Sequence, residues 1–234
     1  MSSQVLLALP VTVAFAALAY RLGMASPRGA LGGVLVGAPI YACLGPQGFA
    51  LLVLFVVVGS ALTRLGYDRK RRAGGAQEHG GRRGARNALA NAGVAVLCAV
   101  LYALGIPAFS AAYVAAVGAA FADTAESEVG QLSRRPPRLI TTGRKVAPGT
   151  DGAVSPVGTL AGAAAAVLTA GLALVLGLVW GWGSAGLVAL AAFLGTVADS
   201  LAGARLPRIG NEATNVLCTL VAAALALLFG FFIA

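Results

Sequence analysis

The sequence predicts an all-α protein: a polytopic membrane helical bundle of about eight transmembrane helices. Three observations predict it. Of 234 residues, 59% are hydrophobic and 11% charged, and the mean hydropathy is +0.86; a water-soluble domain of this length cannot hide that much apolar surface. Apolar runs of about 17–25 residues recur along the chain, the length that crosses a hydrocarbon core of roughly 30 Å. The charges fall in alternate connections between those runs.

The expected helices span about 4–20, 29–44, 47–65, 87–105, 109–130, 154–178, 184–203 and 212–233. The first follows Met1-Ser2-Ser3-Gln4 with no basic stretch and no cleavage motif, so it reads as a retained helix rather than a signal peptide. The second is short and contains Pro39, and Gly45-Pro46-Gln47 separates it from the third. Ile106-Pro107-Ala108 and Trp180-Gly181-Trp182-Gly183 are the other short, uncharged connections. The remaining four connections carry all 17 basic residues: Arg21 and Arg28; then Arg64 to Arg86; then Arg134, Arg135, Arg138, Arg144 and Lys145; then Arg205 and Arg208. By the positive-inside rule that face is cytoplasmic. The expectation is a single membrane domain, 1–234, in the cell (plasma) membrane with both termini extracytoplasmic. It has a flexible basic loop at 66–86 and a phosphate loop at 131–153.

The acidic residues lie on the same side. Asp68, Glu78 and Asp151 are in loops, and Asp123, Glu126, Glu128, Asp199 and Glu212 sit near cytoplasmic helix ends. Chemistry is therefore expected at the cytoplasmic interface. Cys43, Cys98 and Cys218 are single residues in apolar helices without metal-ligand spacing, and packing accounts for them. His79 is the single histidine, in a Gly- and Arg-rich loop, which argues against histidine triads and zinc sites. Walker A and kinase glycine-loop signatures are absent. Arg69–Arg72 with Arg82, Arg83 and Arg86 read as a patch for anionic lipid headgroups, and nucleic acid is not an expected partner.

Four features carry chemistry. Asp123 lies roughly 10 Å along its helix from Gly130, a depth at which carboxylates are costly. Asp123, Glu126 and Ser127 share one helical face, and Glu128 points elsewhere. Two carboxylates on one face suit Mg2+, which keeps the rest of its shell for water and phosphate; arginine-paired structural polarity is the plainer reading. Ala198-Asp199-Ser200 echoes Ala122-Asp123-Thr124, so Asp199 is expected at the same level. Asn91 and Asn215 lie one turn inside helices opened by Asn87 and Asn211, deeper than capping explains, and Glu212 is near that face. Lastly, the basic loop with Arg138, Arg144 and Lys145 ends in Gly149-Thr150-Asp151-Gly152 before a helix, an arrangement that can hold an anion on backbone N–H groups.

The run FADTAESEVGQLSRRPPRLITTGRKVAPGTDGAVSPVGTLAG at 121–162, with ADSLAGA at 198–204 and NEATN at 211–215, closely resembles the signature of the transmembrane-protein-19 family, domain of unknown function 92. That family includes the phytyl-phosphate kinases and is thought to be related to polyisoprenoid-alcohol kinases and to membrane cytidylyltransferases. The resemblance implies phosphorylation of a prenyl monophosphate, with phytyl as one chain, to the diphosphate by a nucleoside triphosphate (CTP or ATP). The expected assignment then gives Asp123, Glu126 and Asp199 to magnesium, with Glu212 a further ligand. Arg138, Arg144, Lys145, Thr150, Asp151 and Gly152 hold phosphates, and Asn91 and Asn215 orient them. Asp123, Glu126, Arg138 and Asp199 are the expected catalytic set. A cytidylyltransferase acting on a lipid phosphate and a transporter of a lipid-like or anionic substrate are the alternatives.

The charge map fixes an orientation that can be tested. Single cysteines at Thr142 and Gly75 should react with a membrane-impermeant thiol reagent only from the cytoplasmic side, and cysteines at the termini only from outside. A cytoplasmic C-terminus would overturn the map.

Overall fold

The computed structural model describes residues 3–74, 78–206 and 208–231. The helices among them are α1 (Ser3–Arg21), α2 (Pro27–Arg64), α3 (Tyr67–Arg72), α4 (Glu78–Gly81), α5 (Ala85–Ala103), α6 (Phe109–Gly130), α7 (Pro156–Val175), α8 (Gly181–Arg205) and α9 (Asn211–Phe231). One antiparallel pair, β1 (Arg138–Leu139) and β2 (Ala153–Val154), folds the 131–153 loop back on itself.

Among the described residues, six helices are long and apolar enough to cross a membrane: α1, α2, α5, α7, α8 and α9. The count differs from the expected eight for two physical reasons. First, α2 has 38 residues, and Gly45 within it leaves helical geometry at φ 65° and ψ −164°. A Cβ on Gly37 would sit 3.1 Å from the Phe49 ring, whereas in a straight helix those residues would be about 18 Å apart. The chain therefore reverses at Gly45-Pro46, and α2 is two arms packed against each other. Glycine tolerates the positive φ, and Pro46 suits the start of the second arm. Second, α6 ends in Asp123, Glu126 and Glu128, which make it too polar to qualify by composition.

Helix α6 is the centre of the bundle. Ala112 to Ala122 are all buried, as expected of a helix apolar on every side. Small residues let its neighbours approach. A Cβ on Gly118 would lie 3.1 Å from that of Ala192 on α8, one on Gly158 of α7 would strike the Glu126 carbonyl at 2.6 Å, and one on Gly195 would meet the Cys218 carbonyl at 2.6 Å. At the uncharged end the Tyr113 hydroxyl donates to the Gly48 carbonyl at 2.7 Å, and Ser110 Oγ donates to that of Leu178 at 2.6 Å. Trp180 and Trp182 are exposed there, as in an aromatic belt. Leu31, Leu35, Leu160 and Val175 are exposed on the flanks, where lipid replaces water as solvent.

The 66–86 loop, expected to be flexible, is in part folded onto the bundle. Lys70 is 1% exposed. Its Nζ donates to the Leu62 and Thr63 carbonyls at 2.9 and 2.8 Å and to Glu128 Oε2 at 2.6 Å. All three ammonium donors are used, carbonyls in the last turn of α2 gain a donor, and Glu128 is turned from its neighbouring acids into a buried ion pair. Residues 75–77, including the Gly75 assigned to the cytoplasmic side, lie outside the described residues.

Breaking such a pair from one side leaves a buried charge without a partner, which costs about 3–5 kcal/mol. Lys70→Met and Glu128→Leu should each lower the thermal midpoint in detergent by several degrees. The double variant should recover most of the loss. Additive losses in the double variant would mean the two side chains act separately.

Candidate active site

The four charged connections converge at one end of the bundle. Residues of the first three, with Asp199 and Ser200 of α8 and Asn211, Glu212 and Asn215 of α9 from the helix ends beside the fourth, line a single polar cavity of about 1270 Å3.

The first wall is a short piece of chain held between helices. The Arg83 N–H donates to the Met24 carbonyl at 3.1 Å, and the Arg83 carbonyl accepts from Ser26 N–H at 3.0 Å. Ser26 also caps α2, its Oγ accepting from Gly29 N–H at 3.0 Å, with Pro27 at the first helical position. Gly29 has no alternative, since a Cβ there would lie 1.9 Å from the Arg83 carbonyl oxygen. This bracing turns the Arg83 side chain inward. Its guanidinium lies over the Phe55 ring at 4.6 Å, in space left by Gly59, and reaches Asn87 Oδ1 at the long distance of 3.5 Å. Its Nε is buried and has no hydrogen-bond partner. Burial pushes the guanidinium down to about 10, against the opposing pull of Glu128 and Asp123.

The acidic wall comes from α6 and α8. A Cβ on Gly195 would lie 3.2 Å from that of Ala119, so these positions abut. Asp199 and Asp123 each follow one turn later, which sets both at the cavity. Asp199 and Glu126 each repel a charge on Asp123. Glu126 Oε1 accepts from Thr159 Oγ1 at 3.1 Å, and Gly162 keeps space beside Oε2. Asp199 Oδ2 and Asn215 Oδ1 are buried without partners. Asn91 is 3% exposed and donates Nδ2 to the Asn87 carbonyl at 2.9 Å. Glu212 lines the exposed rim at the start of α9.

The third wall is the turn at 149–152. A Cβ on Gly152, whose φ is +72°, would strike the Ser200 carbonyl at 2.6 Å and the Ala204 nitrogen at 2.5 Å. Glycine lets this turn rest on the end of α8, beside Asp199. Thr150, Asp151 and Gly152 all line the cavity. Two expectations are corrected here. The turn does not open a helix: β2 intervenes, and α7 starts at Pro156, where Ser155 Oγ already accepts from Gly158 N–H at 3.2 Å. Arg138, Arg144 and Lys145 are exposed and do not line the cavity. Arg138 Nη1 donates to the Gly143 carbonyl at 2.7 Å and fastens its own hairpin.

The structure thus brings together Asp123, Glu126, Asp199, Glu212, Asn91, Asn215, Thr150, Asp151 and Gly152. Sequence reasoning missed Arg83. It reads as one arginine among several in a glycine-rich loop, and its one distinguishing mark is Asn87 four residues on. Among the described residues no three His, Cys, Asp or Glu side chains converge tightly enough to cage a metal. What remains is a pair of mutually repelling carboxylates with unpartnered oxygens on Asp199 and Asn215. This hard-oxygen donor set fits Mg2+ held jointly with phosphate and water rather than by protein alone.

The comparisons agree with this architecture. Residues 10–223 match the family described as integral membrane protein DUF92. An uncharacterized membrane protein of Synechocystis sp. is 38% identical over 82% of this chain and 78% of its own length. An uncharacterized membrane protein of Methanocaldococcus jannaschii is 34% identical over 83% and 81%. Protein VTE6, chloroplastic, of Arabidopsis thaliana is 30% identical over 89% of this chain and 66% of its own length. No solved structure is significantly similar. With the family match covering most of the helical bundle, the chain belongs to the DUF92 family of integral membrane proteins.

Proposed function

We propose that the protein is a prenyl-phosphate kinase of the cell membrane. It transfers the terminal phosphoryl group of a nucleoside triphosphate to a membrane isoprenoid monophosphate such as phytyl phosphate. The observation that carries this reading is the polar cavity at one end of an apolar bundle, where Arg83 Nε, Asp199 Oδ2 and Asn215 Oδ1 are buried without partners. Groups of this kind are costly unless a ligand completes them. A resemblance to a family that includes phytyl-phosphate kinases, and the similarity to VTE6, point the same way.

A prenyl phosphate keeps its chain in the bilayer and its phosphate at the surface, while a nucleoside triphosphate arrives from the cytoplasm. The open end of the cavity is then the cytoplasmic face. A nonbridging oxygen of the prenyl monophosphate attacks the terminal phosphorus. A new P–O bond forms, the bond to the bridging oxygen breaks, and the nucleoside diphosphate departs with that electron pair. The acceptor oxygen is already ionised, so no general base is required. The protein's task is to neutralise crowded anions and hold them in line. Asp123, Asp199 and Glu126 would hold Mg2+, which supplies charge neutralisation between phosphates. Thr159 keeps Glu126 in place. Arg83 holds the acceptor phosphate, and Asn91 and Asn215 orient oxygens that approach them. The 149–152 turn closes the nucleotide side, and the exposed Arg138, Arg144 and Lys145 raise local anion concentration from outside it.

Purified protein in lipid nanodiscs, given prenyl monophosphates, labelled CTP or ATP, and magnesium, should yield prenyl diphosphate and nucleoside diphosphate. A nucleotide-linked lipid with pyrophosphate would replace this reading by cytidylyl transfer, and substrate counterflow without nucleotide would replace it by transport.

Within the same assay the residues should separate. Asp123→Asn and Asp199→Asn should each lower kcat at least about 100-fold while the protein still inserts. Arg83→Ala should cost roughly 1000-fold, and Arg83→Lys should recover only part, because an ammonium cannot make the bidentate fork. Arg138→Ala loses one exposed hydrogen bond and should cost no more than about tenfold. A larger loss at Arg138 than at Arg83 would move the phosphate site to the hairpin.

A further inference from the structure

A second cavity lies beside the first and is of opposite character. It holds about 60 Å3 between α1, both arms of α2 and α5. Its walls are small and apolar, among them Ala16, Ala19, Ala30 and Ala88. Phe15 and Phe49 also line it, their rings edge to face at 5.6 Å. On the scale at which one water needs about 10–15 Å3, it has room for roughly four to six water-sized groups, and an apolar lining disfavours water. Arg83 and Asn87 line both cavities. Phe55 belongs to the apolar one and carries the Arg83 guanidinium on its face.

Gly33 separates this space from ordinary helix packing. Gly29 and Gly32 on the same arm are required by close neighbours, since a Cβ would lie 1.9 Å from the Arg83 carbonyl oxygen or 2.9 Å from Ala85 Cα. A Cβ on Gly33 would meet nothing within 4 Å, although Gly33 lines the cavity. Ala30 and Gly33 are only half-buried, which leaves a lateral way out toward lipid.

We infer that this cavity binds the head-proximal isoprene unit of a prenyl phosphate whose phosphate sits on Arg83 at the junction of the two cavities. The inference rests on the kinase reading for its ligand class and adds the place of the chain. One unit is held and the remainder leaves past Gly33 into the bilayer. Recognition is therefore concentrated next to the phosphate, and total chain length is read weakly.

The test is a geranylgeranyl phosphate analogue with a diazirine in its first isoprene unit, photolysed with the full-length protein in nanodiscs. Labelled peptides should map to residues 12–36, 49–56 or 83–92, and unlabelled geranylgeranyl phosphate should compete. Gly33→Leu should cut labelling roughly tenfold or more, in the range that one or two methylenes of pocket contact command. Gly33→Ala should cut it less, and binding of a fluorescent nucleotide should be unchanged in both. Geranyl, farnesyl and geranylgeranyl phosphates should compete within about threefold of one another, since only the first unit is held. Labelling elsewhere, labelling unaffected by Gly33→Leu, or equal competition by phosphatidylglycerol would overturn the inference. Labelling as expected without any diphosphate product would sustain this site and sink the kinase reading.

Discussion

Carboxylates on a helix that has no lipid-facing side are the constraint around which this protein is built. Helix α6 is buried along Ala112–Ala122 and then carries Asp123 and Glu126. A carboxylate surrounded by other helices has to reach water, cations or hydrogen-bond donors, or it will not ionise. The bundle meets that need at one end only. Away from the charged connections, glycine and alanine bring α7, α8 and α9 against α6. At the acid end, the connections stand apart around a cavity of about 1270 Å3. The same small residues that close the packing set the register, since the abutment of Ala119 and Gly195 brings Asp123 and Asp199 to one level.

The two interior cations illustrate different uses of charge. Lys70 has three acceptors within 2.9 Å and is 1% exposed, so it is fully committed to joining α2, α3 and α6. Arg83 is held by its backbone, supported by an aromatic face, and left with an unpartnered Nε. Completed networks lend rigidity; incomplete ones invite a ligand. The surplus of basic residues, a formal net charge of +9, lies largely on exposed side chains.

The junction at Arg83 gives the site two faces, one polar and one apolar. An amphiphile with an anionic head matches that division without a large apolar pocket, because most of a long chain can remain in the bilayer, where its burial costs the protein nothing.

The sequence by itself determined the helices, their approximate ends, the face that carries charge, and the acids and amides of the cavity. Hydrophobic run length and the cost of charge in lipid act locally, so they are written in the order of residues. It also anticipated the separate segments 29–44 and 47–65, because Gly45-Pro46 is a local break. Only the tertiary structure decided which cations face inward. Arg138 follows two prolines and precedes a glycine turn, yet its guanidinium is spent on Gly143. Arg83 sits among glycines and arginines, yet it is turned inward by Met24 and Ser26, some sixty residues away. Lys70 and Glu128 meet across 58 positions. Long side chains on loops can point many ways, and only the backbone packed against them selects one.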